Sequence, residues 1–295
     1  MSADVTPGAR DAISPAVPRW VADRVAAEEW RLVGGGYTRA PKWCARRRDG
    51  TSVFVKFAEE DELAVGPLTT EIAVYEAVRG AFLPALHDVH VVDGRALVVL
   101  EDLSDALWPP PYPKDVTPLF DALAAVAAAR PPPALRRLRP LPEPRWRRFE
   151  REPHSLLALG VCSERWLRGA LPALAEAEAR VPCSGNGLVH YDVWAENLCF
   201  AERGAVLVDW AEAKIGNPAI DVAFALLSLH VAGAVAPRIE DEAALAAFVT
   251  AVVAAEAAAP PPEWAGPGST LRQDQLQDLR VALPWAAALL GLPPP

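Results

Sequence analysis

The stretch Leu188–Asp221 reads LVHYDVWAENLCFAERGAVLVDWAEAKIGNPAID, and it decides how the rest of the chain is interpreted. A short apolar run ends at His190, and a second one, ending at Asp209, is long enough to pair with it as a hairpin. Asp192 and Asn197 follow the first run, so three oxygen-bearing side chains lie at strand ends or turns. Mg²⁺ prefers one or two carboxylates and fills its other positions with water and phosphate oxygens. The spacing therefore predicts a site for a magnesium-bound phosphate.

Composition limits the possible partners. The chain has 295 residues, which suggests about two structural units, and its net charge of −9 argues against nucleic acid as a partner. Its four cysteines show no C-x-x-C pair and are interpreted as reduced packing residues. The N-terminus lacks the basic-then-apolar pattern of a signal peptide. The apolar runs are too short to span a bilayer. We therefore expect a cytoplasmic protein without a membrane partner.

The first fifty residues predict an arm, a helix and a glycine-rich hairpin. Residues 1–15 are small and polar, and residues 18–30 carry apolar positions at helical spacing. Asp49–Gly50 between two extended runs is a strong hairpin pattern. The consecutive glycines Gly34, Gly35 and Gly36 would let the backbone approach a phosphate closely. A glycine-rich turn between strands is more often only a turn, so this motif is weak alone.

Lys56 is the first residue that gives the glycine turn a functional context. In SVFVKF the side chains alternate, so Lys56 and Phe54 share one face of a half-buried strand. A buried ammonium group needs a partner, and the helix predicted over Leu68–Val78 offers Glu71, with Tyr75 on the same helical face. A strand lysine paired with a helix glutamate positions nucleotide phosphates in kinases. The alternative is a snorkelling lysine on an edge strand.

A second hairpin leads into a possible linker. The runs His87–Val92 and Arg95–Leu100 flank a turn at Asp93–Gly94. The second run continues into Glu101 and Leu103, before a proline-rich turn. We expect the backbone groups of these two residues to be free to bond a flat heterocycle.

The remaining chain predicts a helical unit. Its helices are expected over residues 116–130, 163–181, 240–256 and 270–290, with another beginning at Asp221. The basic, proline-rich stretch 131–149 is interpreted as a loose, solvated connection. Glu212, Asp241 and Glu242 are candidate acceptor contacts, although a solvated surface charge is the commoner role of such residues.

These motifs together resemble the aminoglycoside phosphotransferase group of small-molecule kinases. The resemblance implies an α+β, bilobal, protein-kinase-like fold, with an N-terminal antiparallel sheet, one main helix and a mostly helical second lobe. The implied organisation is a nucleotide-binding lobe over residues 1–100, a hinge over 101–114, and a catalytic and substrate-binding lobe over 115–295. The tail and the WPPPYP linker resemble an actinobacterial branch of the group. The matching segments are GGYTRA, FVK, LEDLS, HYDVWAENLCF, VDWAEAKIGNPAIDVA and ALPWAAALLGLPPP.

The resemblance also implies roles for individual residues. Asp192 would be catalytic, Asn197 and Asp209 would bind Mg²⁺, and His190 and Asp221 would support the catalytic loop. One departure from the family pattern is Tyr191, which replaces a small residue, often glycine, after the histidine. With Trp194, Glu196 and Glu212 it makes the candidate set for acceptor contacts. The ATP-binding set would be Gly34, Gly35, Gly36, Lys56, Glu71, Glu101 and Leu103.

The expected reaction is transfer of the γ-phosphate of ATP to a hydroxyl of a small molecule such as an amino sugar or aminoglycoside. A nucleotide-binding pseudokinase that acts as a scaffold is one alternative, and a kinase of another hydroxylated metabolite is a second. A protein kinase fits poorly, because Trp210–Ala211 follows Asp209 where a protein kinase has Phe-Gly. The stretch from there to Asp221 is also too short for a long activation segment.

Overall fold

The computed structural model describes residues 16–34, 40–59, 61–262, 265 and 269–295, without the side chains of residues 62 and 63. The predicted arm over residues 1–15 lies outside these ranges, as do Gly35 and Gly36. The chain forms an antiparallel sheet followed by a mostly helical half. The predicted α+β fold class is therefore confirmed.

The N-terminal sheet has five antiparallel strands in the order β1-β2-β3-β5-β4. Both predicted turns lie between paired strands, and Gly50, Asp93 and Gly94 have positive φ angles of 83°, 50° and 75°. Such angles suit the tight turns that Asp-Gly sequences favour. The strands are β1 (Ala27–Val33), β2 (Lys42–Arg47), β3 (Ser52–Glu59), β4 (Leu86–Val92) and β5 (Arg95–Glu101).

The first helix is shorter than its sequence pattern predicts. Helix α1 (Arg19–Val25) ends at Ala26, which has a left-handed φ of 54°, and β1 begins at the next residue. Trp30, which was predicted to be helical, pairs with Ala45 of β2 and packs edge-on against Trp43, with 6.2 Å between ring centroids. The tertiary pairing outweighs the local helical pattern, so the prediction of a helix over residues 18–30 was wrong beyond Val25.

The two faces of the sheet pack against different helices. Val55 and Phe57 of β3 pack with Trp43 against α1. The opposite face, which carries Phe54 and Lys56, lies towards α2 (Glu62–Ala77). Helix α2 begins earlier than the sequence predicted, although the helix itself and its glutamate were expected. The alternation of β3 thus directs Lys56 into the molecule.

The second half is organised around one almost fully buried helix, α8 (Glu242–Ala258). It packs against helices on several sides, and its alanine-rich sequence lets their backbones approach closely. Ser163 caps the helix that begins at Glu164 by accepting a 3.2 Å hydrogen bond from the Trp166 N–H. The other helices are α3 (Thr117–Ala128), α4 (Trp146–Arg151), α5 (Pro153–Leu157), α6 (Glu164–Ala179), α7 (Ala219–Val231) and α9 (Leu271–Leu289).

The basic, proline-rich stretch 131–149 is not the loose connection that was predicted. Trp146 and Phe149 are both fully buried, and Trp146 donates a 3.0 Å bond to the Ala247 carbonyl of α8. Arg145 pairs with the buried Glu178 of α6 at 3.2 Å. Six helical residues are too few to show an amphipathic period, so the burial of this segment was not visible in the sequence.

Two antiparallel two-stranded sheets carry the stretch Leu188–Asp221. The strand β6 (Gly187–Val189) pairs with β9 (Lys214–Gly216), while β7 (Leu198–Ala201) pairs with β8 (Gly204–Leu207). The apolar run ending at His190 therefore does not pair with the run ending at Asp209, and that expectation was wrong. The tight turn at Gly204, with a φ of 117°, gives β8 a nearer partner in β7. Within the described ranges, no helix is long and apolar enough to cross a membrane.

Candidate active site

Asp221 holds the backbone of the loop that carries Asp192. Its two carboxylate oxygens accept 2.8 Å hydrogen bonds from the N–H groups of His190 and Tyr191. Burial raises the pKa of Asp221 to about 7, against the opposing effect of these two bonds. Tyr191 has a φ of 68°, which a bulky side chain rarely adopts. The carboxylate at the start of α7 thus fixes a strained backbone turn immediately before Asp192.

His190 connects this loop to the strand end that carries Asp209. Its Nε2 donates a 2.9 Å bond to the Val208 carbonyl, and its ring lies 4.4 Å from the Trp210 ring. Burial lowers the pKa of His190 to about 4, so the ring is neutral at physiological pH. These contacts connect the loop that carries Asp192 to the strand end that carries Asp209.

Asp192 is oriented by Asn197. The Asn197 Nδ2 donates a 2.7 Å bond to Asp192 Oδ2 and a 3.1 Å bond to the Asp192 carbonyl. A one-turn 3₁₀ helix over Ala195–Asn197 brings the amide back to the loop. Burial raises the pKa of Asp192 to about 8, and the neighbouring carboxylates, first of all Asp209, add to this effect. The carboxyl group is positioned, and it lies in a strongly acidic environment.

Lys56 lies between two carboxylates. Its Nζ lies 2.9 Å from Glu71 Oε2 and 3.1 Å from Asp209 Oδ1. Tyr75 donates a 3.0 Å bond to Glu71 Oε1. Lys56 and Glu71 are 4% and 1% exposed, so this ion pair is desolvated and its hydrogen bonds are necessary. The pair expected from the alternation of β3 and the face of α2 is present, and Asp209 extends it.

Lys42 also faces Asp209, and the sequence analysis gave it no role. Its Nζ lies 3.7 Å from Asp209 Oδ2, and it is directly opposite Lys56 in the pairing of β2 with β3. Burial raises the pKa of the Asp209 carboxyl, but the ammonium groups of Lys56 and Lys42 together hold that pKa below its ordinary value. The strand alternation that identified Lys56 applies equally to Lys42, so this residue could have been found.

The linker after β5 is more constrained than predicted. The Glu101 N–H donates to the Ala85 carbonyl at 2.8 Å, and the Leu103 carbonyl accepts a 2.9 Å bond from the Trp108 indole. The Glu101 carboxylate binds Arg203 through two bonds of 2.8 and 2.6 Å. The expectation that the backbone groups of both residues are free was therefore wrong for the Glu101 N–H and the Leu103 carbonyl.

Aromatic side chains lie beside Asp192. The Tyr191 and Trp194 rings both pack against Phe224 of α7, at centroid distances of 5.7 and 5.8 Å. The Lys214 Nζ lies 5.8 Å from the centroid of the Tyr191 ring. The bulk that the sequence placed in this loop therefore forms an aromatic surface next to the candidate catalytic carboxylate.

Four acidic residues are here called the acidic wall: Glu196, Glu212, Glu256 and Asp278. The first three act electrostatically on Asp192, and Asp278 interacts with Glu196. The sequence analysis singled out only Glu196 and Glu212. Burial, with a contribution from Glu212, raises the pKa of Glu256 to about 7. Burial, with contributions from Glu196 and Asp274, raises the pKa of Asp278 to about 7. No local motif marks Glu256 and Asp278, since α8 and α9 bring them to the site from far along the chain.

The two other candidate acceptor contacts have partners away from the acidic wall. Asp241 forms a 2.9 Å ion pair with Arg180 on the surface. Glu242 accepts a 3.2 Å bond from the Trp285 indole. Their partners explain both charges without a ligand.

The side-chain oxygens of Asp209 and Asn197 are of the kind that a magnesium ion binds. Asp209 is ionised by its lysine contacts, and the Asn197 amide turns its Nδ2 to Asp192, which leaves its carbonyl oxygen for a cation. Among the described residues, no group of three or more His, Cys, Asp or Glu side chains is arranged to hold a metal ion. One carboxylate and one amide, completed by water and phosphate, are a set that Mg²⁺ accepts.

Residues 29–261 match the sequence model of the phosphotransferase enzyme family, and the chain therefore belongs to that family. No curated protein matches the sequence. A similar solved structure is the aminoglycoside phosphotransferase from Alicyclobacillus acidocaldarius, which is 15% identical, with 95% of this chain and 96% of that chain covered and a TM-score of 0.57. Another is a choline/ethanolamine kinase family protein from Mesorhizobium loti, which is 13% identical, with coverage of 90% and 92% and a TM-score of 0.56.

These findings confirm the predicted family and fold. At such low identity the two solved structures show a shared fold, while the family match identifies the chain as an O-phosphotransferase that acts on a small molecule. Membership also implies use of a nucleotide, typically with a divalent metal ion.

Proposed function

We propose that this protein transfers the γ-phosphoryl group of ATP to a hydroxyl of a small cationic acceptor, most simply an amino sugar or an aminoglycoside-like compound. The acceptor oxygen forms a bond to the γ-phosphorus, the bond from that phosphorus to the β–γ bridging oxygen breaks, and ADP leaves. The hydroxyl proton passes to Asp192.

The position of Asp192 carries the proposal. Asn197 holds its carboxylate at 2.7 Å, and burial, reinforced by the neighbouring carboxylates, raises the pKa of Asp192 to about 8. A base with a pKa near the working pH combines a useful ionised fraction with a strong tendency to accept a proton. The carboxylate also interacts electrostatically with Asp209, which faces the two lysines, and with Glu196, Glu212 and Glu256 of the acidic wall. This is the location required of a group that orients an acceptor hydroxyl.

The phosphate side supplies the charges that a triphosphate requires. Asp209 and the Asn197 carbonyl oxygen would hold Mg²⁺, which neutralises negative charge on the phosphates. Lys56, held by Glu71, would bind the α- and β-phosphates. Gly34 lies at the end of β1, where the backbone would cover them, and Gly35 and Gly36 lie outside the described residues. Such a site acts by positioning and electrostatic stabilisation.

The linker would bind the adenine ring through the remaining backbone groups of two residues. The Glu101 N–H and the Leu103 carbonyl are already bonded. The groups that would bind adenine are therefore the Glu101 carbonyl and the Leu103 N–H. One acceptor and one donor at this spacing suit the edge of a purine. The Arg203 bonds to the Glu101 carboxylate keep this segment in place.

The acidic wall supports a cationic acceptor. Its negative groups raise one another's pKa values, so a bound cation would relieve an unfavourable interaction. Tyr191 and Trp194 would add an aromatic surface for a sugar ring or an ammonium group. Glu196 and Glu212 are exposed enough to reach such a group directly.

The test is a coupled assay of ADP formation with matched acceptors. The panel pairs amino sugars and aminoglycosides with neutral sugars of similar size, and mass spectrometry identifies the phosphorylated product. We expect acceptor-dependent ADP formation with cationic acceptors and none with the Asp192→Ala variant. Asp241→Ala, which removes a carboxylate from the surface, serves as the matched control and should retain activity.

Two outcomes would contradict the proposal. Nucleotide binding without turnover on any acceptor would favour the pseudokinase alternative. Faster turnover of neutral than of cationic acceptors would favour a kinase of another hydroxylated metabolite and would remove the role assigned to the acidic wall.

A further inference from the structure

Two lysines face the same carboxylate in the phosphate half of the site. Lys56 lies 3.1 Å from Asp209 Oδ1, and Lys42 lies 3.7 Å from Asp209 Oδ2. Resting on the proposed function, we propose that Lys42 is a second phosphate-binding lysine, which leaves Asp209 and binds the triphosphate when a magnesium-bound nucleotide enters.

The strand register places Lys42 in this position. Lys42 of β2 and Lys56 of β3 are direct cross-strand partners, so their side chains leave the sheet on the same face. Like charges opposite each other in a sheet destabilise it unless an anion lies between them. Asp209 fills that place here, and both lysine side chains are largely shielded from solvent, with 15% of Lys42 and 5% of Lys56 exposed.

The charges are balanced only as long as Asp209 is available to the lysines. Lys42 and Lys56 carry two positive charges, while Glu71 and Asp209 carry two negative ones. A cation at Asp209 would place both of its carboxylate oxygens against a new positive charge, and the two ammonium groups would be repelled. A triphosphate is the anion that arrives together with the cation, so it is the available new partner for a displaced ammonium group.

The two lysines differ in what else holds them. Lys56 keeps its 2.9 Å contact with Glu71 when it loses Asp209. Lys42 has no other carboxylate within ion-pair distance among the described residues, and its 3.7 Å contact is longer than a good hydrogen bond. Lys42 is therefore the more easily displaced of the two, and its flexible stem of four carbons allows the ammonium group to follow the phosphates.

The test compares nucleotides with one and three phosphates in calorimetric binding experiments. In the Lys42→Met variant we expect the dissociation constant for magnesium-bound AMP-PNP to rise by about tenfold or more, the effect of losing one charge-assisted hydrogen bond. Binding of AMP should be unchanged, and Lys42→Arg should restore most of the loss. The matched control is Arg46→Met, which removes a positive charge from the same strand and face, where Arg46 pairs with the exposed Glu29.

Each remaining outcome has a definite meaning. If Lys42→Met binds AMP-PNP as tightly as the unmodified protein while Lys56→Met binds it weakly, Lys42 has no phosphate role and the proposed function stands. If Lys42→Met weakens AMP and AMP-PNP equally, its role is structural and the inference is wrong. If the unmodified protein binds neither nucleotide, the proposed function fails as well. All variants are compared below their melting temperatures, and Lys42→Gln replaces Lys42→Met if the latter does not fold.

Discussion

The two sides of the candidate site differ in how their charges are balanced. On the phosphate side, Lys42 and Lys56 face Glu71 and Asp209, so that positive and negative groups are equal in number and in contact. On the acceptor side, Asp192 lies near the acidic wall, and the one ion pair of the wall within the described part of the chain joins Glu212 to Lys214. The phosphate side is thus neutralised before a ligand binds, whereas the acceptor side is not.

This difference indicates how each side recognises its ligand. The phosphate side can be buried and rigid, because each charge already has a partner that a magnesium-bound nucleotide would replace. The acceptor side keeps an unfavourable concentration of negative charge that a cationic ligand would relieve. Residues that serve binding in this way reduce the stability of the free protein. The following changes test this contrast, beginning with the largest expected effect.

Asp209→Asn should remove the metal-binding charge on the phosphate side and so reduce turnover the most. The variant keeps the side-chain shape but removes the charge that would hold Mg²⁺, so we expect the turnover number to fall by about 10³-fold at saturating Mg²⁺. Circular dichroism should show an intact fold. Asp241→Asn, at a surface ion pair, is the matched control and should leave turnover unchanged. Full turnover by Asp209→Asn would show that Asp209 is not a metal ligand.

Lys56→Met should lower stability as well as activity, because it leaves the carboxylate of Glu71 buried without its ammonium partner. Breaking a buried pair from one side typically costs about 3–5 kcal/mol in the free energy of unfolding. Chemical denaturation would measure this loss. The double variant Lys56→Met/Glu71→Leu should recover much of the stability and none of the activity. A double variant as unstable as the single one would mean that the ion pair is not what stabilises this contact.

Neutralising the acidic wall should weaken acceptor binding without affecting the nucleotide. For Glu212→Gln, which removes one charge from an exposed position, we expect the KM for a cationic acceptor to rise by about 3- to 10-fold, with less effect at high salt. The turnover number and the KM for ATP should not change. Glu240→Gln removes an equivalent charge elsewhere and is the control. An equal rise in the KM for a neutral acceptor would exclude an electrostatic cause.

Asp278→Asn should stabilise the free protein at alkaline pH. The folded-state pKa of Asp278 is raised from 3.8 to about 7, by burial and then by Glu196 and Asp274, so the native protein holds a proton that the unfolded chain releases. The stability contributed by this group is therefore present below pH 4 and is lost as the pH rises to about 7.

The measurement is the melting temperature across that range. Asparagine cannot ionise, so above pH 7 the variant should melt roughly 2–4 °C higher than the unmodified protein, for a gain of about 1 kcal/mol. The difference should disappear near pH 4. An equal gain at both pH values would indicate a packing effect instead of a charge effect.

Local patterns predicted a large part of this arrangement. Alternation along β3 placed Lys56 on the correct face, and helical spacing put Glu71 and Tyr75 together. The Asp-Gly turns predicted both N-terminal hairpins. The patterns failed where distant pairing decided the outcome, as for Trp30, which joins a strand instead of a helix, and for Trp146, which is buried by helices that are far away in the sequence.

The stretch that contains Asp192 and Asp209 illustrates the same limit. The residues of Leu188–Asp221 and their order were visible in the sequence, because they lie within one short segment. Their pairing was not, since β6 takes β9 as its partner and β8 takes β7. Two strands of similar length and apolarity do not specify which of several neighbours they will join.

By itself, the sequence determined the family, the fold class and the candidates Lys56, Glu71, Asp192, Asn197 and Asp209, because each is carried by a contiguous motif or by the period of one element. Only the tertiary structure showed that Lys42 shares Asp209 with Lys56, that Glu256 acts on Asp192, and that Asp278 acts on Glu196. The physical reason is that charge balance depends on distances in space. Residues brought together from separate strands and helices have no common spacing along the chain.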